Sequence, residues 1–107
     1  MARAEHGSEH YGRRPVSVAV PASADLQRLL TANGARFGKF GRYAGALANA
    51  ADPVGYPQRA VEFDPPAARE VGFVLAALLG QALADGDPGA GALGELAAQF
   101  PGAGDSS

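Results

Sequence analysis

Between Asp64 and Gly86 the chain carries one helical pattern that is apolar on almost every side, and this pattern limits the folds open to it. Asp64-Pro65-Pro66 signals the start: Asp64 is placed to cap, and Pro65 stands at the first helical position, where a missing N–H leaves nothing unpaired. The pattern runs through Arg69-Glu70-Val71 to about Asp85, and Gly86 supplies a stop. Val71, Val74, Leu75, Leu78, Leu79, Ala82 and Leu83 cover most of the circumference. A helix of this kind must be covered by its own fold or by a partner. Its charge-free run, Val71 to Ala84, has 14 residues. A spanning segment needs roughly 18 or more, so no transmembrane helix and no membrane partner are expected.

The rest of the chain has little bulk with which to cover such a helix. Its 107 residues fit one small domain, with no Ile, no Trp and only five Phe. A core this modest is naturally supplemented by a dimer interface. Residues 1–12 and 101–107 are polar, lack periodicity and are expected to be tails, leaving 13–100 as the folded unit.

Around the long helix the elements are short. Val16, Val18 and Val20 alternate with Ser17 and Ala19, a strand signal that Pro21 ends. Ser23 is a good cap for a helix near 24–32 containing Leu26, Leu29 and Leu30, and Asn33-Gly34 stops it. A second helical segment is expected from there to about Ala51, with Pro53 beyond it. Residues 52–60 read as a loop and Val61-Glu62-Phe63 as a second short strand. After the turn Gly86-Asp87-Pro88-Gly89, a short helix bearing Leu93, Leu96, Ala97 and Phe100 closes the domain. The expected fold is mainly α: a small bundle of about four helical segments with one or two short strands, near 16–20 and 61–63.

Charge is unevenly placed. Residues 1–51 carry seven basic and three acidic groups, and residues 52–107 carry two basic and eight acidic groups. Either two complementary surfaces meet, or one half faces nucleic acid and the other a partner. The paired Arg13-Arg14 and the apolar residues after them imitate a secretion signal. That run is only about five residues, below the usual ~7–15, so a cytoplasmic protein is expected.

The stretch Gly34-Ala35-Arg36-Phe37-Gly38-Lys39-Phe40-Gly41-Arg42-Tyr43-Ala44-Gly45 interleaves cations, aromatics and glycines. On a helix of ~100° per residue, Phe37, Phe40, Ala44 and Leu47 share one stripe. Gly34, Gly38, Gly41 and Gly45 share the next, and Lys39 and Arg42 fall on the far side. Small residues at this spacing admit a second backbone. The stretch is therefore a packing seam, an irregular loop or a nucleic-acid contact.

Residues 16–51, about a third of the chain, resemble the ribbon–helix–helix DNA-binding family: an alternating strand, a helix, a glycine turn and a longer helix. The resemblance implies strands paired across a dimer and a major-groove reading face made of Ser17 and Ala19. Ala19 carries no hydrogen-bonding group, and the segment Ala35-Arg36-Phe37 has no hydroxyl for a phosphate. The DNA-binding alternative uses Arg13, Arg14, Arg36, Lys39 and Arg42.

Chemistry-bearing motifs are thin. Gly89-Ala90-Gly91-Ala92-Leu93-Gly94 has the spacing of a dinucleotide fingerprint but neither the strand before it nor the unit after it. His6 and His10, the only histidines, lie in the N-terminal tail, and there is no Cys. With Glu62, Asp64, Glu70 or a tyrosine as the remaining candidates, nothing pairs a nucleophile with a base. No enzyme activity, metal or cofactor is expected. The expected role is a non-catalytic interaction module, accessory or regulatory, joined to itself or to another protein. Its interface would be the seam Gly34, Gly38, Gly41 and Gly45 together with Val71, Val74, Leu75 and Leu78.

Overall fold

The computed structural model describes residues 15–55 and 60–100. The expected tails 1–12 and 101–107 lie outside them, as do Arg13, Arg14, His6 and His10. Among the described residues the chain forms strand β1 (Val16–Ala19), helix α1 (Ala24–Ala32), a 3-10 segment (Gly34–Phe40) and helix α2 (Gly41–Ala50). Strand β2 (Ala60–Phe63), helix α3 (Pro65–Asp85) and helix α4 (Ala90–Ala97) follow. This is the mainly helical small bundle with two short strands that the pattern implies.

The strands pair antiparallel, Val16 opposite Phe63 and Ala19 opposite Ala60. Alternation then sorts the side chains. Val16, Val18, Val61 and Phe63 share the inner face, where Val18 and Phe63 are buried, while Ser17, Ala19, Ala60 and Glu62 share the exposed one. In α1 the Ser23 hydroxyl accepts the Leu26 N–H at 3.1 Å, and Leu26 and Leu30 are buried. The Ser23 N–H donates to the Ala51 carbonyl, and the Gln27 side-chain amide to the Ala48 carbonyl, so α1 lies against the end of α2.

Residues 34–51 are not one helix. Gly38 breaks the segment with φ 55° and ψ −126°. Positive φ at this ψ is steep for a residue with a Cβ and accessible to glycine. The break turns Phe37 into the core and lets α2 restart at Gly41.

Helix α3 begins and ends where expected, with Gly86 left-handed at φ 66°. The Asp64 side chain makes no capping bond, contrary to the role expected of it. A cap accepts from the second or third helical N–H, and Pro66 removes the first of those donors. The inner face of α3 is Ala67, Ala68, Val71, Gly72, Leu75, Leu78 and Ala82. Phe100, beyond α4, lies so close over α3 that a Cβ at Gly72 would stand 2.8 Å from the Phe100 Cβ.

The turn between α3 and α4 is held by Asp87. It accepts from Arg28 of α1 at 2.8 Å and from the Gly89 N–H at 2.8 Å. The Arg28 guanidinium, and after it the Gly89 N–H, hold the Asp87 carboxyl below the usual carboxylate range. Across the middle of the domain runs a line of aromatic rings. Phe40 meets Tyr43 at 6.3 Å, Tyr43 stacks on Phe63 at 4.8 Å, and Phe63 meets the edge of Phe100 at 5.1 Å. No charged or polar residue is buried among the described residues.

Candidate association surface

The apolar circumference of α3 divides into two arcs. Val71, Leu75 and Leu78 are 0%, 0% and 4% exposed and point into the chain's own core, and Val74 is half-buried beside it. These four were expected to meet a partner. Three of them are already covered, because the 3-10 segment, β2 and α4 pack against α3. The outward arc is a different set of residues. Pro66, Arg69, Phe73, Ala76, Ala77, Gly80 and Ala84 are all exposed, with Leu83 at the border with α4. Phe73 is 75% and Leu83 64% exposed. The sequence did hold a sign of this: Phe73 sits about 200° from Val71 at ~100° per residue, so one large apolar side chain had to face away from the others.

Two hollows lie along the outward arc. One is lined by Arg36, Phe73, Val74, Ala76 and Ala77, and the other by Leu79, Gly80, Leu83, Gly94 and Ala97. At the N-terminal end of α3, Lys39 and Phe40 from the 3-10 segment adjoin Pro66, Arg69 and Glu70. That end carries the cations Lys39 and Arg69 together with the acids Asp64 and Glu70, Arg36 lies farther along beside Phe73, Val74, Ala76 and Ala77, and the other end carries Asp85. With 21 residues and an 18-residue window of mean hydropathy 1.4, α3 is long and apolar enough to cross a membrane by length and composition. The whole helix thus exceeds the charge-free run read from the sequence. Its inner arc is occupied by the protein core.

The cation–aromatic stretch resolves into packing and cover. Phe37 is buried, Phe40 and Tyr43 are half-buried, and Tyr43 carries the stack to Phe63. The Lys39 ammonium lies 5.5 Å from the Phe40 ring centre and the Arg42 guanidinium 5.1 Å from that of Tyr43. Exposed contacts of this kind are worth about 0.5–1 kcal/mol each. The glycine stripe is not a seam within this chain. A Cβ at Gly34, Gly38, Gly41 or Gly45 would have nothing within 4 Å. The break at Gly38 also rotates the two halves apart, so the expected stripe does not form one face.

The strand geometry departs from what the ribbon–helix–helix resemblance implies. β1 pairs with β2 of the same chain. Among the described residues, the exposed face holding Ser17 and Ala19 includes the acid Glu62 and no cation. Gln99 closes the outer edge of β1: its side-chain carbonyl accepts the Ala19 N–H at 2.8 Å and its amide donates to the Ala19 carbonyl at 2.7 Å. Arg36, Lys39 and Arg42 are exposed.

Among the described residues no cluster of three or more His, Cys, Asp or Glu side chains is arranged to hold a metal ion. Glu62, Asp64 and Glu70 are exposed. Gly89 is buried, and a Cβ there would stand 3.1 Å from the Asp25 carbonyl oxygen. The first glycine of the Gly89–Gly94 spacing therefore serves a close approach of α1. No family model, curated protein or solved structure matches the chain.

Proposed function

We propose that the protein is a non-catalytic association module, accessory or regulatory in role, that works by pairing the outward arc of α3 with another protein surface. The observation that carries this reading is Phe73. It is 75% exposed near the start of a charge-free stretch, on a helix whose opposite arc is the core. Contiguous exposed apolar surface of this kind marks interaction sites in soluble proteins. Covering a Phe or Leu side chain contributes about 1.5–3 kcal/mol, so Phe73 and Leu83 give the surface a pair of anchors of the type that dominate interfaces.

Light scattering over a range of protein concentrations, at low and high salt and with random duplex DNA, tests the reading. The expected result is a species heavier than the 10.8 kDa chain whose mass ignores DNA and persists in high salt. A monomer at every concentration, without a protein partner, removes the support for this role. A heavier species that forms only with DNA and dissolves steeply with salt transfers the working surface to Arg36, Lys39 and Arg42.

A further inference from the structure

We infer that Gln99 stands in for a third strand: its side-chain amide closes the outer edge of β1 and keeps the strand of another copy of this chain from adding there. The inference does not rest on the association reading above.

β1 has the makings of a strand acceptor. Val16, Ser17, Val18, Ala19 and Val20 carry no charge, and valines stand at alternate positions. Short uncharged runs of high β-propensity on an open edge are the ones that recruit further strands. The Ala19 N–H and C=O point away from β2, since Gln99 takes both. In an antiparallel ladder the residue two positions along turns its groups the same way. Ser17 therefore presents its N–H and C=O on that edge, and among the described residues no hydrogen bond reaches them.

Gln99 meets the edge as a peptide group would. Its side-chain carbonyl accepts the Ala19 N–H at 2.8 Å and its amide donates to the Ala19 C=O at 2.7 Å. This is the reciprocal pair that one residue of a neighbouring strand makes. Among the described residues no other side chain bonds to the backbone of either strand. The pair is not what holds the C-terminal turn in place. Leu96, Ala97 and Phe100 are buried on either side of Gln99. The Gln99 N–H donates to the Leu96 carbonyl and the Phe100 N–H to the Ala97 carbonyl, each at 3.1 Å. Its neighbours thus fix the Gln99 backbone, and the exposed side chain serves the edge.

The test is Gln99→Ala in a Phe73→Glu background. The exposed ring of α3 is then absent, so the outcome is separate from that of the association reading. Amide exchange, the unfolding midpoint and sedimentation are measured against Phe73→Glu alone. The expected midpoint is unchanged, within the range of ordinary surface substitutions. Exchange at the Ala19 amide rises about tenfold, the factor for one hydrogen bond of ordinary net strength. The chain gains mass with concentration and gains strand signal in the infrared. Adding Ser17→Pro deletes an outward donor and leaves β1 paired with β2, so it returns the chain to the mass of Phe73→Glu alone. A midpoint that falls beyond the surface range makes Gln99 a structural tie and overturns the inference. An Ala19 amide that exchanges at the parent rate overturns it, as does a chain whose Ala19 amide is released but whose mass never rises. Added mass that persists with Ser17→Pro comes from something other than strand addition and overturns it too.

Discussion

Phe63→Ala removes a large share of the stability of this domain. Phe63 is 1% exposed at the end of β2, and its ring joins two halves of the molecule. Tyr43, from α2, stacks on one side at 4.8 Å, and Phe100, from beyond α4, meets it edge-on at 5.1 Å. Truncating a buried Phe costs about 3–5 kcal/mol through lost transfer energy and the cavity left behind. A domain of this length holds roughly 4–13 kcal/mol in all, at 0.05–0.15 per residue. The neighbours cannot collapse into the space, because Phe100 is pinned over Gly72 and Tyr43 is carried by a helix. Chemical denaturation of the variant is expected to show a midpoint far below that of the parent, or no cooperative transition at all. A loss under about 1 kcal/mol, the range of ordinary surface changes, contradicts the aromatic packing described here.

Phe73→Glu does the opposite: it leaves the fold alone and abolishes association. At 75% exposure the ring adds little to the core of its own chain. Surface changes of this sort stay within about 0.5 kcal/mol, so the unfolding midpoint holds. Losing about 1.5–3 kcal/mol for the ring weakens association by roughly 10–10², at tenfold per 1.4 kcal/mol, before any penalty for the carboxylate. Sedimentation equilibrium reads the change in dissociation constant. Unchanged association with an unchanged fold moves the interface off α3.

The two variants separate what could be read in the sequence from what could not. The strand at Val16–Ala19, the Ser23 cap, the start of α3 at Pro65 and the left-handed Gly86 all follow from short-range chemistry. Each depends on residues within one turn, where propensity and φ preference act directly. The break at Gly38 does not. A glycine permits both the helical and the left-handed backbone, and the choice was made by the fit of Phe37 into a core assembled from distant segments. The Asp64 side chain fails to cap α3 for a local reason. The prolines that announce the helix start also remove a donor the cap would use.

Which arc of α3 stays outside was not legible in the sequence. An apolar helix in a chain with a small core signals that something covers it. Because Val71, Phe73, Val74 and Leu75 are all apolar, nothing in the spacing alone decides which arc the chain keeps for itself. The position of α4 decides it, by laying Phe100 on Gly72 and Gly94 beside Leu79. The neighbourhood of Arg36 and Lys39 with Glu70 and Val74 is likewise tertiary: these residues lie more than thirty positions apart in the chain and meet only because Gly38 bends the 3-10 segment toward α3.

The most direct test of the account is carbene footprinting of the unmodified protein, read by mass spectrometry at concentrations below and above the onset of association. Val54, 91% exposed and remote in sequence from α3, serves as the internal standard. The account predicts that labelling of Phe73 and Leu83 falls as concentration rises, while that of Val54 stays constant and the core residues Val71 and Leu75 stay unlabelled throughout. Labelling of Phe73 and Leu83 that tracks Val54 at every concentration would contradict it.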